Sequence, residues 1–422
     1  MHDANAAVAE SSGAPSDDPV DAAAPVPHAT RPARLTAATG TRTSRHRRRA
    51  GCAFVLNRCP SLGGFVSTSM SRSPWRAVWL TCAAAVGLIH QDGDMTVRWG
   101  VVGPGRIASK VVGDAPLVPN AEFVAVASRS AERAEAFAAA HGIPRAYDSY
   151  QAILDDDGVD VLYIATTHPQ HRAIALAALR AGKAVLVEKA FTVTPEATRE
   201  IVELATATGT FAMEAMWTRF QPVVVRLREL VADGALGEIR SVQGELCVQA
   251  NPDPSDRFLN PAIGGGAVFD LSVYPISFAQ MLLGDPETVH AQGTLTDTGV
   301  DLEESMLLGF PGGRSAALFC SLRCASPGQL RVFGTEGWID VLPRFHHPDT
   351  IVLHRSDREE TVHAPRTGGG YAHELIEVTE CVAAGKAQSD VMPLADTVAV
   401  QGVMAEVVRQ LGVRIEEGPA QL

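Results

Sequence analysis

The sequence contains few cysteines and no excess of basic residues. There are 7 cysteines among 422 residues, an odd number, and none belongs to a Cys-x-x-Cys pair with histidine partners. A zinc site is therefore not expected, and scattered cysteines favour a reducing compartment such as the cytoplasm. The net charge of −12 and the isoelectric point of about 5.5 argue against nucleic acid as a partner.

Long hydrophobic runs are missing from the first part of the chain. The apolar run at 77–89 is too short to cross a bilayer, and it lies too far along for an ordinary signal peptide unless translation begins at Met70. Residues 1–94 lack periodicity, which predicts a disordered leader or an upstream extension of a protein that begins at Met95. The basic tract at 45–49 is a candidate targeting signal, and no membrane partner is expected.

A glycine-rich turn follows the first predicted strand, which begins near residue 97. Gly103 permits a tight turn, Gly105 lets a pyrophosphate approach the backbone, and Ala108 lets the next helix lie against the strand. The backbone N–H groups of Arg106 and Ile107, at the start of that helix, suit an anion. The motif alone also fits an ordinary turn, but the strand and helix that follow provide the context of a dinucleotide site.

The pattern of strands and helices predicts two folded domains. From Val97 onward, continuous apolar strands alternate with amphipathic helices, which is typical of a parallel sheet covered on both faces. After about residue 232 the strands become longer and alternating, with Gly- and Pro-rich turns between them. We therefore expect an α/β protein with an N-terminal Rossmann domain at 95–216 and, at 217–422, an α+β domain with a large, mostly antiparallel open sheet.

The residues after the second strand bear on the choice of cofactor. Ser128 and Arg129 lie 25 and 26 positions after Gly103, where an NAD site usually has an acidic residue. A hydroxyl and a guanidinium instead suit the 2′-phosphate of NADP. The sequence thus predicts NADP as cofactor, with NAD as the alternative if Arg129 is only a solvated residue before the next helix.

Polar residues also follow the later strands of the first sheet. Thr166, His168 and His171 follow one strand, and Glu188 and Lys189 end the next. Because ligands bind at the carboxyl edge of such sheets, we expect these residues at the cofactor. Lys189 could polarise a carbonyl or assist a phenol, although a Glu-Lys pair also suits an ordinary surface. The two histidines have no carboxylate or cysteine cluster beside them, so no metal is expected.

Two further segments add to the series of motifs that follow one another along the chain. They are Met-Glu-Ala-Met-Trp-Thr-Arg-Phe at 213–220 and Gly-Gly-Gly-Ala-Val-Phe-Asp-Leu-Ser-Val-Tyr at 264–274. With the motifs above, they make the chain from about Val97 to Leu411 resemble the glucose–fructose oxidoreductase/inositol dehydrogenase (Gfo/Idh/MocA) family. Within that family the chain is most similar to the branch of dimeric dihydrodiol dehydrogenases and NADP-dependent D-xylose dehydrogenases.

The resemblance implies an oxidoreductase in which Lys189 and Tyr274 act together on the reacting hydroxyl of a sugar, polyol or cyclic diol. It also implies a homodimer, or a higher homo-oligomer, formed through the sheet of the second domain. Residue chemistry agrees, because the hydroxyl proton needs a base and a phenol with a pKa of about 10 needs a cation nearby. Asp270 lies one helical turn before Tyr274 and could grip the same substrate. The alternative is that Asp270 caps its helix and Tyr274 is packed in the core.

Trp217 and Arg219 follow the last Rossmann strand and are expected at the substrate. Trp217 offers a face to a sugar ring or aromatic diol, or else packs between domains, and Arg219 could hold a hydroxyl or the cofactor carboxamide. Relatives usually have proline where this chain has Ala190, and its absence is expected to loosen Lys189. That departure leaves open the alternative that the protein is a non-catalytic sensor of dinucleotide or sugar. Imine or enone reduction is a third alternative.

Overall fold

The computed structural model describes residues 96–251, 253, 256–415 and 418. The predicted leader, residues 1–94, lies outside these residues. The domain boundaries expected after residues 94 and 216 therefore stay predictions.

Six parallel strands form the first sheet in the described part of the chain, in the order β3-β2-β1-β4-β5-β6. This order is that of a Rossmann fold. The strands are β1 Val97–Val102, β2 Ala121–Ala127, β3 Arg145–Tyr147, β4 Val161–Ile164, β5 Ala184–Glu188 and β6 Ala212–Ala215. The helices are α1 Arg106–Gly113, α2 Ala131–His141, α3 Tyr150–Leu154, α4 His171–Arg180, α5 Pro195–Thr208 and α6 Pro222–Ala232.

Local sequence explains where these elements begin and end. Strands β4, β5 and β6 are buried along their whole length, as their apolar sequences predict. Ser130 and Thr194 cap α2 and α5 by accepting a hydrogen bond from the backbone N–H three residues further on. Both helices end at a glycine in the left-handed region, Gly142 with φ of 68° and Gly209 with φ of 67°.

The second sheet has eight strands among the described residues, in the order β14-β13-β12-β11-β7-β10-β9-β8. Only the central pair β7 and β10 is parallel, so the sheet is mostly antiparallel. Helices α7 and α9 pack against one of its faces. The elements are β7 Ile239–Cys247, α7 Val273–Leu283, β8 Thr288–Leu295, β9 Asp301–Phe310, β10 Arg314–Ser321, β11 Leu330–Gly334, β12 Gly337–Val341, β13 Thr350–His354, β14 Glu359–His363, α8 Ala372–Ala383 and α9 Leu394–Leu411.

The predicted fold class is confirmed, with local differences in some elements. Strands β3 and β14 were not expected, because both are short or polar and lie at sheet edges. The helix predicted at 267–283 begins with a π-helical turn at Val268–Ser272 before continuing as α7. Single π-turns occur often at functional sites, and this one carries Asp270.

Among the described residues, one helical segment is long and apolar enough to cross a membrane. It is Pro261–Leu283, and 89% of its most apolar window is buried inside the protein. Such burial is typical of a core helix, and here the segment packs beneath the second sheet.

Candidate active site

A cleft of about 590 Å³ runs from the glycine-rich turn to the start of α7. The carboxyl ends of β1, β2, β4, β5 and β6 contribute to one side, and residues of the second half contribute to the other. The predicted site residues that line it are Gly103, Gly105, Arg106, Ile107, Ser128, Arg129, Thr166, His168, Glu188, Lys189, Trp217, Asp270 and Tyr274.

The turn after β1 has the shape that a pyrophosphate requires. Gly103 has φ of 93°, and a Cβ there would lie 2.9 Å from the carbonyl oxygen of Ala165. A Cβ at Gly105 would meet nothing within 4 Å, so this backbone is open to the cleft. Gly105 is the N-cap of α1 and provides no side-chain cap, so the first N–H groups of the helix can face an anion. The residues present therefore fit a dinucleotide.

Four cationic side chains line the cleft near this turn. Arg106 and Lys110 come from α1, and Arg129 and Arg133 flank the start of α2. Sequence reasoning missed Lys110, which lies one helical turn after Arg106 in α1, and Arg133, which is the third residue of α2. The Ser128 hydroxyl accepts the backbone N–H of Ser130 at 3.2 Å, which shapes the turn.

Lys189 and Tyr274 meet at the inner end of the cleft. The Lys189 Nζ lies 4.9 Å from the centroid of the Tyr274 ring and donates to the backbone oxygen of Asp270 at 3.0 Å. The Tyr274 hydroxyl accepts a hydrogen bond from Trp217 Nε1 at 3.1 Å. A cation and an indole N–H therefore both lie at the phenol.

Asp270 is held by two cations. Its Oδ1 lies 2.8 Å from Arg257 Nη2 and 3.7 Å from Lys189 Nζ. Burial alone would raise the pKa of Asp270, but Arg257 and Lys189 outweigh it, so the pKa lies below its ordinary value. Asp270 lies in the π-turn rather than one α-helical turn before Tyr274 as expected, and its carboxylate is tied to Lys189 and Arg257.

The loop after β5 is held firmly although Ala190 stands in it. The Lys189 backbone N–H donates to Glu188 Oε2 at 3.2 Å, and the Phe191 N–H donates to Glu214 Oε1 at 3.2 Å. The Lys189 carbonyl oxygen lies 3.2 Å from His168 Nε2. Ala190 itself is fully buried and its peptide bond with Lys189 is cis. These hydrogen bonds hold the backbone on both sides of Ala190, and the loosening expected from the missing proline stays a prediction.

The two predicted histidines have different positions. His168 lines the cleft, and its Nδ1 lies 2.9 Å from the carbonyl oxygen of Gly264. His171 is fully buried behind it, and its ring nitrogens face the carbonyl oxygens of Thr166 and Ala190 at 3.0 and 3.1 Å. Burial lowers the pKa of His171 to about 4, so the ring is neutral. His171 does not line the cleft, so its predicted contact with the cofactor is corrected to a structural role: the ring holds together the loops after β4 and β5.

Arg219 also lies away from the cleft. Its guanidinium is 2% exposed and pairs with Asp396 at 2.5 Å. It also donates to Ser277 Oγ at 3.1 Å and to Gln280 Oε1 at 2.7 Å. These contacts satisfy the side chain inside the protein, so the predicted contact with substrate or carboxamide is corrected to a structural link between α7 and α9.

Trp217 lines the cleft but is mostly covered. Its indole ring stacks on Tyr371 with a centroid distance of 4.4 Å and an interplanar angle of 9°. The residue is 6% exposed. As the packing alternative predicts, one face of the ring is covered by a neighbouring side chain, and the indole N–H group is directed to Tyr274.

Besides the apolar Ile263, four cleft residues of the second half were missed by sequence reasoning: Arg257, His346, Tyr371 and Glu374. They lie on loops or at a helix start, where no sequence period indicates which way a side chain turns. Burial raises the pKa of Glu374 well above its ordinary value and lowers that of His346 well below it.

Glu188 is buried at the inner wall of the cleft. It accepts the Tyr163 hydroxyl at 2.5 Å, and burial raises its pKa. The Thr166 hydroxyl has no hydrogen-bond partner among the described residues. Within the same part of the chain, no group of three or more His, Cys, Asp or Glu residues could hold a metal ion.

The comparisons with known proteins agree with this geometry. Residues 97–215 match an oxidoreductase family with an NAD-binding Rossmann fold, and residues 224–340 match the GFO/IDH/MocA C-terminal domain. The chain is 37% identical over 330 residues to the trans-1,2-dihydrobenzene-1,2-diol dehydrogenase of Bos taurus, covering 76% of this chain and 98% of that protein.

Two solved structures are similar as well. A 3-ketoreductase from Actinomadura kijaniata in complex with NADP and TDP-benzene has a TM-score of 0.66 at 25% identity, covering 74% of this chain and 97% of that one. A levoglucosan dehydrogenase in complex with NADH and levoglucosan has a TM-score of 0.68 at 22% identity, covering 75% and 97%. Because its identity is only 22%, the similarity to the levoglucosan dehydrogenase indicates a shared fold alone.

Proposed function

Because the chain belongs to the Gfo/Idh/MocA family of oxidoreductases, we propose that this NAD(P)-dependent dehydrogenase of diols or sugars uses NADP and takes a cyclic diol or sugar as substrate. The observation that carries the proposal is that one cleft contains the open glycine turn, four cations and the pair Lys189 and Tyr274. The name of the bovine relative supports a cyclic diol.

The choice of NADP is supported by the charges around the turn. Arg106, Lys110, Arg129 and Arg133 line the cleft there, whereas its acidic lining residues, Glu188, Asp270 and Glu374, belong to the inner end. A 2′-phosphate would gain charge-assisted hydrogen bonds from guanidinium groups, each contributing on the order of 1.5–3 kcal/mol. No carboxylate of the described lining would repel it.

The chemistry at the inner end follows from Tyr274 and Lys189. A bound nicotinamide would supply the hydride acceptor for oxidation of a CH–OH group. Tyr274, in its ionised form, takes the proton of the reacting hydroxyl, and the ammonium of Lys189 stabilises the negative charge on the phenol. Asp270 holds the Lys189 side chain at the ring through its backbone oxygen and its carboxylate. Because Tyr274 is 5% exposed, little water competes for its oxygen.

The cofactor choice is tested by reversing one charge. In Arg129→Glu, the new carboxylate repels the 2′-phosphate, so kcat/KM for NADP should fall by at least about tenfold, while that for NAD changes by less than about threefold. The measurement is the absorbance of reduced nicotinamide, with the full chain and a panel of cyclic diols, aldoses and inositols.

A matched control is Arg180→Glu, which makes the same change on an exposed residue at the end of α4, outside the cleft. It should leave the ratio of NADP to NAD unchanged. Equal use of both cofactors by the unaltered protein would contradict the proposal for NADP. Absence of turnover with bound cofactor would favour the sensing alternative.

We also propose that a second copy of this chain covers the open face of the second sheet. Leu307 is 52% exposed and Trp338 is 38% exposed. Leu307 in β9 pairs with Ala317 in β10, and Ala317 pairs with Gln243 in β7. Gln243 pairs with Arg331 in β11, and Arg331 pairs with Asp340 in β12, two residues from Trp338. Both side chains therefore lie on the same face of the sheet.

This arrangement predicts that Leu307→Glu weakens the dimer. A buried charge without a partner is costly at an interface, so the dissociation constant should rise by at least about tenfold. Light scattering during size-exclusion chromatography measures the mass across protein concentrations. The matched control is Leu117→Glu, because Leu117 is 43% exposed and lies in the first half. A monomeric mass for the unaltered protein would contradict the proposal.

A cytoplasmic location is proposed from the thiols. Cys247, Cys320, Cys324 and Cys381 are free in the described part of the chain, which suits a reducing compartment. Cell fractionation checks this, and recovery of the protein in a secreted or membrane fraction would contradict it.

A further inference from the structure

The indole of Trp217 is fixed in position by its neighbours. One face stacks on Tyr371, and the backbone N–H of Tyr371 donates to Asp114 Oδ2 at 2.9 Å. Asp114 also accepts the N–H groups of Gly369 and Ala372 at 2.8 and 3.2 Å. The end of α1 therefore anchors the loop that carries Tyr371, and that loop holds the indole.

The N–H group of this fixed ring is directed at the phenol oxygen of Tyr274. The distance from Nε1 to the hydroxyl oxygen is 3.1 Å, and both side chains are buried. An indole nitrogen can only donate, so the phenol oxygen is the acceptor. Such a bond strengthens when the oxygen becomes negative, and it is worth more where water is excluded.

We propose that Trp217 is a positioning residue that stabilises the ionised form of Tyr274 through its indole N–H. The inference rests on the proposed function, in which Tyr274 takes the proton of the substrate hydroxyl. Lys189 lies over the ring of Tyr274, whereas Trp217 contacts the oxygen itself. The two groups thus act on the phenol from different positions, one by charge and one by a hydrogen bond.

The geometry argues against the simpler role of Trp217 as a platform for a substrate ring. Tyr371 covers one face, and only 6% of the residue is exposed. The single N–H group is engaged by Tyr274, so it has no second hydrogen bond for a substrate hydroxyl.

The test is the pH dependence of kcat/KM for diol oxidation in Trp217→Phe. Phenylalanine keeps an aromatic ring against Tyr371 and removes the N–H group. A donor to the charged form favours that form. Its loss should therefore move the midpoint of the ascending limb, where activity rises as Tyr274 ionises, upward by about one pH unit, which is about a tenfold loss near neutrality. Above the new midpoint the rate should return to within about threefold of the unaltered protein.

A matched control is Trp99→Phe, because Trp99 is fully buried and its indole N–H has no partner among the described residues. That change should lower stability and leave the pH midpoint unchanged. In a protein that already carries Tyr274→Phe, Trp217→Phe should cost less than about twofold in residual activity, since its effect passes through the phenol.

Two results would overturn the proposal. One is an equal loss at every pH in Trp217→Phe, which would indicate a packing role, and the other is a rise in KM alone, which would indicate a substrate platform. If the unaltered protein turns nothing over, the proposed function fails, and the phenol is titrated directly by its ultraviolet absorbance. Subtracting the absorbance of the protein that carries Tyr274→Phe isolates the signal of the Tyr274 phenol. If the midpoint of that titration were the same in Trp217→Phe, the positioning role would be refuted as well.

Discussion

Replacing Tyr274 by phenylalanine is expected to lower kcat/KM for alcohol oxidation by about 10³. The change removes the oxygen that takes the substrate proton and leaves the ring that packs beside Lys189 and His346. Cofactor binding should persist, with a Kd within about threefold of the unaltered protein, because the glycine turn and the cation group lie elsewhere in the cleft. Reduced nicotinamide absorbance measures turnover, and fluorescence titration measures cofactor binding.

Tyr147→Phe is the matched control for that experiment. The Tyr147 hydroxyl donates to Asp156 at 3.0 Å, and the residue is not among those that line the cleft. Its loss should change kcat/KM by less than about twofold. If Tyr274→Phe kept more than about a tenth of the activity, a group other than Tyr274 would have to be the base.

The first half of the site could be predicted because sequence order dictates its geometry. Parallel strands place their carboxyl ends at one edge, so Gly103, Ser128, Thr166 and Lys189 had to lie near one another once the strands were recognised. The same rule could not say which way a side chain turns after a strand. Arg219 follows β6 as predicted, yet its guanidinium points into the protein, where Asp396 provides a charge partner.

The second half of the site depended on contacts that no short sequence period encodes. Arg257 and His346 lie on the loops after β7 and β12, and their approach to Asp270 and Tyr274 depends on how those loops fold against the start of α7. The antiparallel sheet itself was predictable from strands in which apolar and polar residues alternate. Its short, polar edge strand β14 has too few apolar residues to be recognised as a strand from the sequence.

The ion pair between Arg219 and Asp396 leads to the second large expected effect, in Asp396→Ala. Arg219 is 2% exposed and Asp396 is 28% exposed, so removing the carboxylate leaves a buried guanidinium that keeps hydrogen bonds to the neutral Ser277 and Gln280 and an electrostatic attraction to Glu214. Breaking a buried pair in this way typically costs about 3–5 kcal/mol. Thermal unfolding should show Tm lowered by roughly 10 °C.

The matched control is Asp390→Ala, because Asp390 pairs with Lys386 on the surface, where both side chains are about half exposed or more. That change should cost less than about 1 kcal/mol. Adding Arg219→Met to Asp396→Ala should restore part of the lost stability, since it removes the unpaired charge. Because neither residue lines the cleft, kcat/KM per folded molecule should stay within about threefold in Asp396→Ala. A loss of activity without a loss of stability would instead return Arg219 to the substrate role that the sequence predicts.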